Sequence, residues 1–152
     1  MPAGSKQRTR AVSHQYFIHS SPKKVFDAMT DPKQIVKWLA DSAEIDLREG
    51  GQYKIGWKDG PQHSGMILQL IPGKSMTLSW EWEGVSLHDT KFKLSVESKG
   101  SGSLFQIEHS GFPAQNKWTD LYAGAEWGWT YFAMNLKSVL EDGHDLRSPY
   151  DG

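Results

Sequence analysis

The sequence predicts an α+β domain: a curved antiparallel sheet of about seven strands around one long C-terminal helix, with two short helices after the first strand. Three observations carry this. Between Gln52 and Ser110, apolar and polar residues alternate in segments divided by turn-forming residues, the period of strands that bury one face. From Trp118 to about Asp142 apolar residues recur at helical spacing with no proline. Only this last segment is long enough to cover the apolar side of such a sheet.

Taken in order, residues 1–10 hold Lys6, Arg8 and Arg10 with no acid and read as a disordered leader. Residues 11–143 form the domain. Ala11–His19 is a strand with Val12, Tyr16 and Ile18 on one face. Ser20-Ser21-Pro22 starts a short helix through Met29, and Asp31 with Pro32 starts a second through Leu39. Ala43–Leu47, Gln52–Trp57, His63–Ile71, Ser75–Trp82, His88–Glu97 and Ser103–Ser110 follow as strands. Lys58-Asp59-Gly60-Pro61 is a hairpin turn by its chemistry, and Gly65 marks a bulge. Successive hairpins give antiparallel pairing, and a sheet this wide twists and curls, so the helix lies in a concavity. At about 1.5 Å per residue the helix is roughly 35 Å long, and Gly143 ends it. Residues 144–152 are expected to be a flexible tail.

Composition excludes several functions. There is no cysteine, so disulfides, thiolate metal sites and cysteine nucleophiles are absent, which also suits a reducing, cytoplasmic setting. A net charge of −1 supplies no field for nucleic acid. No run of about 20 apolar residues is present to span a membrane. The six histidines are scattered without metal-ligand spacing, and no phosphate-binding glycine motif occurs, so no metal or other cofactor is expected.

Several motifs match a known family. Ser21-Pro22-Lys23-Lys24-Val25-Phe26-Asp27-Ala28 precedes Thr30-Asp31-Pro32 and Trp38. After these come Gly50-Gly51, then Gly65 leading to Pro72 and Leu78-Ser79-Trp80, then His109-Ser110-Gly111-Phe112, and Gly128-Trp129 followed by Leu136 and Leu140. In this order the chain resembles the START-like superfamily, also called SRPBCC or birch-pollen-allergen-like. Within it, the chain is similar to single-domain proteins of the branch named for the activator of the ninety-kilodalton heat-shock protein's ATPase. The resemblance spans Ala11 to about Gly143. It implies a helix-grip fold, a deep apolar cavity under the last helix, and a stress-related role or a chaperone partner. The co-chaperone members that gave the branch its name carry a second domain, for which 152 residues leave no room.

Alternation places Tyr53, Ile55, Trp57, Leu78, Trp80, Trp82, Phe92, Leu94, Phe105, Ile107 and His109 on the concave side, facing Tyr122, Ala125, Trp129 and Phe132 of the helix. Aromatic residues make up 12% of the chain, and each ring has about 150–250 Å² to bury. Small Ala125 and Gly128 beside such rings leave space, so the first expectation is a non-catalytic pocket for a small hydrophobic, aromatic or lipid-like ligand. A filled core is the alternative.

His109 admits two readings: a ligand-facing general acid or base, as in a cyclase or hydrolase working with Tyr53 or Tyr122, or a core imidazole with a structural hydrogen bond. Glu108-His109-Ser110 is not a triad, because adjacent strand residues point to opposite faces. Glu81 and Glu83 read as a solvated outer face. Exposed Lys91 and Lys93 would serve a chaperone partner. Trp127 and Met134 lie off the main helical stripe, which leaves a homodimer open.

Overall fold

The computed structural model describes residues 8–80 and 90–148. Strand β1 (Thr9–Ile18) leads into helices α1 (Pro22–Thr30) and α2 (Pro32–Ile35), then β2 (Ser42–Ile45), β3 (Gln52–Gly56), β4 (Gln62–Ile71), β5 (Ser75–Trp80), β6 (Thr90–Lys99), β7 (Gly102–Pro113), and α3 (Thr119–Asp142). The expected positions Glu81, Trp82, Glu83 and His88 lie outside the described residues. All seven strands join one antiparallel sheet in the order β1-β7-β6-β5-β4-β3-β2. The expected α+β, helix-grip architecture is the one found.

Local chemistry sets the element ends. Ser21 Oγ accepts a hydrogen bond from Lys24 N, and Pro22 opens α1 with a fixed backbone angle. Asp31 ends α1 and caps α2, accepting from Lys33 N at 2.9 Å. The α-helical part of α2 stops at Ile35 and continues to Leu39 only as turns, shorter than expected. Gly143, at φ 67°, closes α3 with the left-handed geometry a side chain disfavours.

Two expectations about the strands change. Gly65 is not a bulge: it pairs with Tyr53, and the register shift falls between Ile67 and Gln69. What Gly65 supplies is close approach, since a Cβ there would stand 2.6 Å from Ser79 O and 3.1 Å from the Tyr53 ring. The start of the domain, expected at Ala11, lies earlier, because β1 already begins at Thr9, and Arg10 donates to Pro113 O at 2.9 Å.

The core follows the alternation. Val12, Ile18, Met76, Leu78, Phe92, Leu94, Val96, Phe105 and Ile107 are buried on the sheet's inner face against Ala125, Trp129, Ala133 and Leu136 of α3. Trp38 is buried beneath α1, donating from Nε1 to Ala28 O at 2.8 Å.

Two polar clusters fix α3. Fully buried Asn135 donates to Trp38 O and Asp145 Oδ1 and accepts from Leu146 N. Arg147 pairs with Asp145 and reaches Ala40 O and Val36 O. Residues 144–148, expected as part of a flexible tail, are thereby tied to the segment after α2. Along the outer edge of β1, Lys137 donates to Phe17 O, Glu141 accepts from His19 N, and Tyr122 donates to Ala11 O.

Candidate functional site

The glycines of α3 decide where space remains. Gly124 and Gly128 lie one turn apart on the same helix face, and at both positions an added Cβ would meet nothing within 4 Å. The trough they leave is bounded along the helix by Asp120, Leu121, Ala125, Trp129 and Phe132. Opposite stand Trp57 after β3, Pro61 in the hairpin, His63 at the start of β4, and Trp80 at the end of β5. Together they border a groove of about 400 Å³ that is open to solvent along Asp120 and Gly124. This falls within the roughly 300–1,000 Å³ usual for small-molecule sites.

Its walls are rings held by one another. Trp57 lies against Phe132 at 5.8 Å and edge-on to His63 at 5.8 Å. His63 stacks on Trp80 at 4.5 Å, and Trp80 meets Trp129 edge-on at 5.2 Å. Trp129 in turn stacks on Phe92 at 4.0 Å. Two indole N–H groups are engaged away from the pocket. Trp57 Nε1 donates to Leu39 O at 2.8 Å, and Trp129 Nε1 donates to His109 Nδ1 at 2.9 Å. These rings are therefore fixed in orientation and give the pocket apolar surface.

His109 lies behind that wall. It is fully buried and does not border the pocket. Burial, and then the positive charge His63 would carry, bring its pKa down from 6.5 to about 3. It is thus a neutral imidazole at ordinary pH, with Nδ1 as the acceptor for the Trp129 indole. The hydroxyl of Tyr53 donates to Ser79 O at 2.6 Å, and that of Tyr122 to Ala11 O at 3.2 Å. This geometry is that of a core histidine orienting a tryptophan.

Of the residues expected on the concave side, Trp57, Trp80, Ala125, Trp129 and Phe132 border the pocket. Tyr53, Ile55, Leu78, Phe92, Leu94, Phe105, Ile107 and His109 are buried and do not border it. Tyr122 packs edge-on against Phe112 at the helix entrance. Trp82 lies outside the described residues. Among the described residues, no group of three or more histidines and carboxylates is placed to hold a metal ion, and no helix is long and apolar enough to cross a membrane.

Residues 19–141 match the family model described as activator of Hsp90 ATPase homolog 1-like protein. The chain belongs to the Hsp90 ATPase activator homolog 1-like family. Its fold is shared by the Aha1 dimer from Colwellia psychrerythraea, with a TM-score of 0.77 at 21% identity over 88% of this chain and 98% of that one. Protein MLL2253 from Mesorhizobium loti gives a TM-score of 0.78 at 25% identity, covering 90% of this chain and 100% of its own. CalU16 from Micromonospora echinospora gives 0.64 at 29% identity over 90% and 80%. No curated protein matches the chain.

In this Hsp90 ATPase activator homolog 1-like chain, sequence reasoning missed Pro61, His63, Asp120, Leu121 and Gly124 as pocket residues. A signal for His63 existed. The hairpin is centred on Asp59, so His63 pairs with inward-facing Ile55 and must share its face.

Proposed function

We propose that the chain binds a small apolar or aromatic ligand in this pocket and does not transform it. The observation that carries the reading is the open trough along Gly124 and Gly128, walled by fixed aromatic rings. A helix interior gives up about 0.5–1 kcal/mol for each glycine in place of alanine. Two such residues bordering one void are accounted for by an occupant. The only imidazole facing the void, among the described lining residues, is His63, and His109, the candidate acid or base of the alternative reading, is buried behind Trp129.

The test is native mass spectrometry of the purified protein, followed by tryptophan quenching with the ligand it retains. Gly128→Leu places a side chain in the empty trough. It is expected to weaken binding by about a hundredfold, while thermal stability is kept or raised by the gain in helix propensity. Undiminished affinity in this folded variant would sink the pocket reading.

One further observation favours a second copy as a partner. Trp127 is 72% exposed and lies parallel to Tyr131, with Met134 also exposed on the same helix. The Colwellia relative is a dimer. We propose that this helix face meets its own copy. Sedimentation should show a dimer that Trp127→Glu converts to monomer, and a wild-type chain that stays monomeric at high concentration would overturn it.

A further inference from the structure

The two ends of the pocket differ in chemistry. Asp120 to Phe132 is twelve residues along α3, about 18 Å at the helical rise. At the Phe132 end the walls are Trp57 and Phe132 in ring contact. At the other end stands exposed Asp120, a lining residue with a carboxylate side chain. Among the described lining residues it is the one carboxylate, and none is lysine or arginine.

The bases near the start of α3 are engaged elsewhere. Lys117 lies over the Trp118 ring at 5.0 Å. Arg10 lies over the Tyr122 ring at 4.8 Å and bonds Pro113 O. Backbone amides in the first turn of a helix favour an anion, and Asp120 itself supplies that charge. An acidic ligand would meet that carboxylate with no described lining lysine or arginine to offset it, His63 being the one lining base able to become cationic.

Resting on the pocket reading above, we propose that the ligand is an elongated cationic amphiphile, a lipophilic amine. Its hydrocarbon or aromatic body lies in the trough along Gly124 and Gly128, and its ammonium group sits at the Asp120 rim. Asp120 is the specificity-determining residue. The rings hold the body whatever the charge, and Asp120 selects the head.

Three probes of one shape separate the terms: phenylbutylamine, phenylbutanol and phenylbutyrate, titrated by calorimetry at low salt and about pH 8, above the ordinary imidazole range. The amine should bind about three- to fivefold more tightly than the alcohol, the scale of an exposed ion pair, and the carboxylate most weakly. Asp120→Asn should bring amine and alcohol to equal affinity without changing the alcohol's. Salt at about 0.5 M should shrink the difference in the wild type. Equal binding of all three, tighter binding of the carboxylate, or an amine preference that survives Asp120→Asn would overturn the charge assignment while leaving the pocket standing. No binding of any probe, with no ligand retained on purification, would overturn both.

Discussion

Replacing Trp129 by alanine is expected to lower folding stability by about 3–5 kcal/mol, the range for removing a large buried ring. Trp129 is 5% exposed, stacks on Phe92, meets Trp80 edge-on and donates to His109. It is the main ring by which α3 grips the centre of the sheet. Two contributions can be separated. Trp129→Phe keeps most of the ring packing but removes the donor to a buried imidazole nitrogen, a cost of about 1–3 kcal/mol. Urea unfolding of the three proteins measures both. A Trp129→Ala loss below about 1 kcal/mol would mean that the helix is held mainly elsewhere.

Acid should unfold the protein partly through His109. Its pKa is near 6.5 in the unfolded chain and about 3 in the folded one, so the unfolded state binds more protons between these values. The stabilisation is complete above pH 6.5 and is lost as pH falls toward 3, at up to about 1.4 kcal/mol per pH unit. Below about 3 this group adds no further slope. Several kilocalories per mole are at stake over the whole window, enough to rival the net stability of an ordinary domain. His109→Gln keeps an acceptor for the Trp129 indole and removes the titration. Its stability should fall less steeply than that of the wild type between pH 6 and 4. Parallel curves would show that His109 does not sense the change in pH.

The fold was legible because its signals are local and repeated. Met76, Leu78 and Trp80, then Phe92, Leu94 and Val96, then Phe105, Ile107 and His109 alternate with polar residues, and each set is buried where the period predicts. The 3.6-residue period of α3 needed no partner to be recognised. The site was only partly legible, for a physical reason. Alternation says which way a side chain points, not whether anything stands opposite it. Leu94 and Ile107 face inward as Trp80 does, yet only Trp80 borders the void, because α3 carries Gly124 and Gly128 at one end and Ala133 and Leu136 at the other. His63 was passed over because a polar residue at the mouth of a hairpin reads as a strand end until its register is known. Gly65 was misread because a strand glycine serves either a bulge or a close approach, and only the distance to Ser79 O distinguishes them.

The side chains that α3 lays along β1 have a consequence for assembly. A terminal strand ordinarily presents a row of unused amides and carbonyls on which a neighbouring molecule can build. Here Lys137, Glu141 and Tyr122 already occupy part of that row. The opposite margin, β2, is four residues long and carries the exposed charge of Glu44. Growth into fibrils by continuing the sheet is thus obstructed at both borders. Association of copies must then use side-chain surfaces rather than backbone pairing at the sheet margins.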